Sequence, residues 1–286
     1  MEPFAAHTYP SGIQLFHIDP WIRRYSGITA GFSSRKGGES ELISGGLNVA
    51  MHVGDNPEYV IANRRRIAEA LQLPFSSWTC AGQVHGCEVA VVTVGETGRG
   101  SMSGADSIGM TDALITNERG VWLTSFYADC VPLYFFDPVK GTVGLAHAGW
   151  KGTGLKIAEK TVLAMTENYG SKPEHILAAI GPSIGGCCYE VDDHVIQAMR
   201  SALGSEEVLE ECIQSLPDKQ GKVMLDLKEC NRQIMIKAGI VPTHIEITQW
   251  CTGCSTDVFF SHRKEHGRTG RMMSWIGLQE EVNASS

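Results

Sequence analysis

Residues 142–180 read as a strand, a glycine-rich loop, an amphipathic helix and a second strand. The strands are expected at 142–146 and 176–180 and the helix at 153–169, with an apolar stripe of Leu155, Ala158, Val162 and Met165 and a stop at Gly170. That is the length of a βαβ crossover, which commits the fold to a sheet with at least one parallel pair and a helix on one face. Other strand-like runs fall at 88–94, 121–127, 132–136 and 245–248, and other helices at 192–203 and 226–238. No internal repeat, low-complexity tract or Pro/Ser-rich linker interrupts the chain from Arg24 to Gln279. The pattern predicts an α+β (mixed α/β) fold, a single compact domain of mixed β-sheets flanked by helices.

The clearest helix begins at Asn56-Pro57, an N-cap followed by proline in the first turn, and runs to about Leu71. At about 100° per residue, Val60, Ile67, Ala68 and Leu71 form one apolar stripe, and Arg64 falls inside it. An inward guanidinium needs partners, because a buried unpaired charge costs several kcal/mol. A bound anion and a structural Asp or Glu are both open at this point.

With 24 Lys+Arg against 32 Asp+Glu, the net charge of −8 offers no general basic field for a nucleic acid. The longest apolar runs, such as 131–136, are strand-sized, and the N-terminus lacks a basic region followed by an apolar stretch. No membrane partner is therefore expected, and the chain reads as cytoplasmic. Nine cysteines, an odd number including the adjacent Cys187 and Cys188, do not form a disulfide framework. Reduced thiols or metal ligands remain. Cys80, Cys87, Cys212 and Cys230 are expected to be small buried apolar residues. Cys251-Thr252-Gly253-Cys254 has no second CxxC to complete a zinc ribbon and reads as a turn with two packed thiols.

Three soft or borderline ligands stand beside expected strands: His85 before one, Cys130 after another, and His147 after a third. Two imidazoles and a thiolate make a three-point set for Zn²⁺ with a fourth position for water or substrate. Their spacing matches no compact metal motif, so a loop histidine and a buried thiol are the competing reading. The segment 144–151 is not a phosphate-binding P-loop, because Trp150 stands where the lysine must be. Gly149, Gly152 and Gly154 would instead let backbone approach an anion at a helix start. The run from Ser261 to Arg268 is the most basic in the chain, either a solvated face or a source of arginines for a phosphate.

Five motifs, taken together, resemble the YfiH/YlmD-type laccase-domain family. They are Gly82-Gln83-Val84-His85-Gly86, Ala128-Asp129-Cys130-Val131-Pro132, His147-Ala148-Gly149-Trp150-Lys151-Gly152-Thr153, the segment from Ile180 through Cys187-Cys188-Tyr189 to Val191, and Phe259-Phe260-Ser261-His262-Arg263. The similarity runs over about residues 25–277, the core of one domain spanning 1–286. It implies a YfiH-like fold and a zinc-dependent purine nucleoside phosphorylase acting on adenosine, inosine, guanosine and methylthioadenosine with inorganic phosphate, with adenosine deamination as a side activity. Older descriptions of the family speak of polyphenol oxidases. The family's ligands and catalytic centre carry over to His85, Cys130 and His147, with Zn²⁺ as cofactor and Cu²⁺ as a possible substitute. Substrate contacts are expected from Asn48 and Arg35 in the early Arg-x-Gly-Gly and Leu-Asn elements, from Arg64, from Arg263, and from Asp129. Asp129 is expected to orient a histidine or touch substrate rather than ligate the metal. Two other functions compete: copper-dependent oxidation of phenols, and a cysteine hydrolase or amidase on cell-wall precursors with Cys130 as nucleophile and His147 as base. The expected assembly is a monomer or small homo-oligomer.

Overall fold

The computed structural model describes residues 1–41, 45–216 and 221–280. In chain order the strands are β1 Phe4–Thr8, β2 Gln14–Ile18, β3 Ile28–Ser33, β4 Trp78–Cys80, β5 Val89–Val91, β6 Ala113–Thr116, β7 Trp122–Tyr127, β8 Val131–Asp137, β9 Thr142–Ala148, β10 Leu177–Ile180, β11 Glu190–Asp192, β12 Ile213–Ser215, β13 Lys222–Leu225, β14 Ile245–Ile247 and β15 Met272–Leu278. The helices are α1 Asp19–Arg24, α2 Pro57–Leu71, α3 Trp150–Gly154, α4 Ile157–Tyr169, α5 Asp193–Leu203, α6 Glu206–Cys212 and α7 Leu227–Lys237. None is long and apolar enough to cross a membrane.

Two six-stranded mixed sheets carry the fold, in the orders β1-β2-β3-β15-β7-β4 and β14-β10-β8-β9-β6-β5, with a small sheet β11-β13-β12 beside them. The alternation of side chains along a strand assigns each residue to one of three cores. On β8, Tyr134 and Phe136 face the core between the two large sheets, with Phe32, Leu123 and Tyr127 of the first sheet. Leu133 and Phe135 face the other way, against Ile157, Val162 and Met165 of α4 and Ile234 of α7. A third core packs Ile67 and Ala68 of α2 onto Trp78, Trp122 and Trp275 on the outer face of the first sheet. Strands covered on both faces are apolar throughout, which is why β8 and β9 are buried along their whole length.

Two expectations about the crossover need correction. The strands β9 and β10 run in the same direction but do not pair, because β8 lies between them, antiparallel to both; the parallel pairs are β10–β14, β4–β7 and β5–β6. The helix expected over 153–169 is two helices, broken where Lys156 adopts φ 59° and Leu155 points to solvent. The short α3 is pinned separately, by Thr153 N–H on the Gly149 carbonyl and by Asn231 Nδ2 on Thr153 Oγ1. Cys80, Cys87, Cys212 and Cys230 are buried, as expected.

A candidate metal centre and its pocket

Two connections and the end of a strand meet where the sheets abut. Cys130 lies in the turn from β7 to β8, which carries the chain from one large sheet to the other, and His147 sits on β9 directly across from Pro132 of β8. His85 reaches the same point from the loop between β4 and β5. The nitrogen and sulfur donor atoms of His85, Cys130 and His147 all lie within 4.8 Å of one another, with the two imidazoles edge to face at 4.9 Å between centroids. A Cβ on Gly149 would stand 3.1 Å from Cys130 Sγ and 3.3 Å from His85 Cδ2. Glycine at 149 thus leaves room for the donors to converge, a more specific need than the anion approach expected of it.

Asp112 organises the centre, and it was not singled out from the sequence. Its fully buried carboxylate accepts the backbone N–H groups of Val84 (3.0 Å), His85 (3.1 Å) and Gly86 (2.7 Å), and the Nδ1 of His147 at 2.8 Å. Burial alone would raise its pKa, but the bonds from His147 and the loop amides outweigh that and hold it below the ordinary carboxylate value. An ionised carboxylate only accepts, so His147 donates from Nδ1 and keeps Nε2 for the centre. One side chain therefore sets the tautomer of one histidine and the backbone of the other, the support that a metal-ligating histidine needs.

The donors have the electrostatics a divalent cation needs. Burial opposes ionisation of Cys130, yet the neighbouring His147 and His85 hold its thiol down to about 6. Burial likewise opposes protonation of His147, and Cys130 and Asp112 overcome it, raising the imidazole to about 9. Two imidazoles and a readily formed thiolate match a zinc-type ligand set. Three residues around this point, Gln83 (φ 31°), His85 (φ 59°) and Asp129 (φ 83°), hold left-handed backbone that costs a non-glycine residue energy and clusters at functional sites.

The centre opens into a cavity of 380 Å³, within the range of small-molecule sites. Beyond the donors its wall includes His52, Phe126, Tyr189, His262, Arg263 and Arg271. A larger and more open depression of 810 Å³, lined by Tyr9, His17, Tyr25 and Arg66 among others, brings together no such donor set.

The structure sorts the expected substrate contacts. Arg263 and Asp129 line the cavity; Arg35, Arg64 and Asn48 do not. Asp129 orients no histidine: its carboxylate accepts Thr252 Oγ1 (2.5 Å), Ser261 Oγ (3.1 Å) and Arg263 N–H (2.7 Å), tying the pocket's outer loop to the β7–β8 turn. Asp112 has the orienting role instead. Arg35 bonds the Thr256 carbonyl, pairs with Glu265 at 3.2 Å and lies over the Phe260 ring. Arg64 is buried as its periodicity requires, but its partners are carbonyls: Nε donates to Val49 O, and Nη1 to Gly100 O and Ser101 O, while the guanidinium stacks on Phe126. Asn48 acts at one remove, accepting the N–H of Arg271 on Oδ1. Arg271 itself, absent from the expected set, lines the cavity with Nη1 held by the Thr269 and Gly270 carbonyls.

Two consequences can be measured. Asp112→Asn keeps the size of the side chain but turns an amide group toward N–H donors, and should weaken metal binding by about ten- to a hundredfold; chelator competition at unchanged far-UV circular dichroism measures it, and an unchanged affinity would remove Asp112 from the account. Arg64→Met would leave three buried carbonyls without a donor at about 1–3 kcal/mol each before relaxation. With roughly 2–4 °C of Tm per kcal/mol in a chain of this size, a fall of about 6 °C or more is expected by calorimetry. Metal content should stay intact, and a Tm within 1–2 °C (about 0.5 kcal/mol) of the parent would contradict this placement.

The family model described as multi-copper polyphenol oxidoreductase laccase matches residues 29–279. A purine nucleoside phosphorylase, YlmD, of Geobacillus stearothermophilus is 43% identical over 268 residues, covering 91% of this chain and 95% of its own length. Its counterpart of the same name in Bacillus subtilis is 41% identical over 279 residues, 98% of each chain. The crystal structure of the Geobacillus YlmD superposes with a TM-score of 0.90 at 40% identity, over 98% of this chain and 100% of that one.

Proposed function

The chain belongs to the laccase-like YfiH/YlmD family, and we propose that it is a zinc-dependent purine nucleoside phosphorylase with adenosine deaminase side activity. One observation carries the reading: the His85, Cys130 and His147 donors open directly onto a nucleoside-sized cavity whose wall combines aromatic rings with two arginines. Zn²⁺, when bound by these three residues, supplies Lewis-acid polarisation of an oxygen on phosphate or water.

The chain's own groups do the rest. Phe126 and Tyr189, each with an arginine over one ring face, supply the aromatic part of the wall that a purine would meet. His52 is kept neutral, because burial first and then the nearby Arg271 and Arg64 lower its pKa, so it presents one donor and one acceptor to the base edge. Arg263 and Arg271 hold the phosphate against the field of an acidic protein. A phosphate oxygen attacks C1′ of the ribose as the C1′–N9 bond breaks, and the base leaves with the bonding electrons and takes a proton from water or a pocket imidazole. In deamination the adenine edge rather than the ribose faces the centre: water adds to C6, the C6–N bond breaks and ammonia leaves with the proton that the water gave up, which needs no anion site.

Incubating zinc-replete, tag-free protein with adenosine, inosine, guanosine and methylthioadenosine, with and without phosphate, and separating the products tests this. Free base and ribose 1-phosphate (the methylthio sugar phosphate from methylthioadenosine) should form only with phosphate, and inosine should form from adenosine without it. No base release from any of the four would overturn the proposal.

A second reading has its own observation: Asp112, His147 and Cys130 also line up as the acid, base and nucleophile of a cysteine hydrolase. It leaves His85 without a role. Alkylation separates the two readings, since a zinc ligand becomes reactive only after chelation and a free nucleophile reacts equally with or without chelator. A multi-copper oxidase is less well supported. Its trinuclear centre needs further histidine clusters, and among the described residues the remaining candidate ligand cluster is made of cysteines alone.

A further inference from the structure

The cysteines that the metal centre does not use are not scattered. The adjacent Cys187 and Cys188 lie in a turn closed by Cys188 N–H and Tyr189 N–H on the Gly185 carbonyl, and the Cys251-Thr252-Gly253-Cys254 loop curls beside it, with Cys254 N–H and Ser255 N–H on the Cys251 carbonyl. Their four Sγ atoms all lie within 4.8 Å of one another, and Cys254 Sγ stands 3.4 Å from both Cys187 Sγ and Cys188 Sγ. A tetrahedral ion with metal–sulfur bonds of about 2.3 Å separates its ligands by about 3.8 Å, so the cluster sits at that scale.

Core packing does not account for this grouping, because Cys187 and Cys254 are exposed. Nor are they joined as disulfides: all four are free cysteines. The backbone is arranged around the sulfurs as in thiolate sites. Gly185 N–H points at Cys251 Sγ at 3.1 Å, and a Cβ on Gly253 would lie 2.9 Å from Cys188 Cβ and 3.1 Å from its Sγ.

We infer that Cys187, Cys188, Cys251 and Cys254 form a second, tetrathiolate metal site that binds Zn²⁺. Its place gives it a structural task. The first loop continues into Tyr189 of the cavity wall, and the second carries Thr252, which bonds Asp129, and leads on to His262 and Arg263. Thr252 N–H on the Ser183 carbonyl is the main-chain tie between them near the cluster. The ion would staple two loops whose far ends shape the pocket. This inference is independent of the activity assigned to that pocket.

Zinc per chain, measured by mass spectrometry on tag-free protein kept reduced, tests the site. Two ions are expected in the parent, one each in Cys254→Ser and Cys130→Ala, and none in the double variant. Cobalt loaded into Cys130→Ala reads the cysteine cluster without altering it, and should give the intense sulfur-to-cobalt charge-transfer and tetrahedral visible bands that the double variant lacks. Equal zinc in the parent and in Cys254→Ser, no zinc in Cys130→Ala, a disulfide among the four thiols, or iron in place of zinc would overturn the assignment.

Discussion

Cys130→Ala is expected to lose both the metal of the His85–His147 centre and nucleoside turnover. The thiolate is the donor that brings negative charge to the set, and two imidazoles alone bind a divalent ion far more weakly than a closed three-point site. Lewis-acid stabilisation is worth several kcal/mol, and each 1.36 kcal/mol is tenfold in rate, so phosphorolysis should fall by at least about three orders of magnitude. The fold should persist, because the variant removes a small side chain beside Gly149 and leaves the Asp112 network in place. The metal readout distinguishes this centre from a cysteine hydrolase, in which the same substitution would kill turnover without touching metal content. Full occupancy of the centre in Cys130→Ala would sink the ligand assignment.

The second large effect concerns phosphate. Arg271→Ala is expected to raise the phosphate KM by about ten- to a hundredfold, and Arg263→Ala to act in the same direction. A charge-assisted hydrogen bond contributes roughly 1.5–3 kcal/mol, and 1.4 kcal/mol is tenfold in affinity. Both arginines are held through Nη1 by backbone carbonyls, Thr269 and Gly270 for Arg271 and Glu190 for Arg263, so their remaining N–H donors are presented at little further entropic cost. Adenosine deamination should change much less, since water needs no anion site. Equal loss of both activities in Arg271→Ala, with fold and zinc intact, would mean that this arginine positions the nucleoside instead.

Much of the site could be read from the residues themselves. His85, Cys130 and His147 flank apolar strand runs, and strand ends are where mixed sheets gather their loops. The inward direction of Arg64 followed from helical periodicity alone. Its partners did not, because they are carbonyls of residues 49, 100 and 101, and any residue type offers a carbonyl. Asp112 was one of 32 acidic residues. Its one local signal is an acid set against the apolar start of β6, and its importance comes from a loop that wraps it from 26 to 28 positions earlier. The four-cysteine cluster escaped for a related reason: a Cys-Cys pair completes a CxxC only after the fold brings two distant loops together. The break at Lys156 follows Gly152 and Gly154, glycines read from the sequence as room for an anion rather than as a helix stop, and α3 is held separately by Asn231 on Thr153.

The central claim is that the His85, Cys130 and His147 centre, loaded with zinc, joins phosphate to the ribose of a purine nucleoside. Phosphorus NMR of inosine and phosphate incubated with protein that has been stripped of metal and then reloaded tests it most directly. A ribose 1-phosphate resonance should grow with the reloaded protein, be absent with the stripped protein and be absent with reloaded Cys130→Ala. Ribose 1-phosphate formed at the same rate by stripped protein, or hypoxanthine released with free ribose and no phosphate ester, would contradict it.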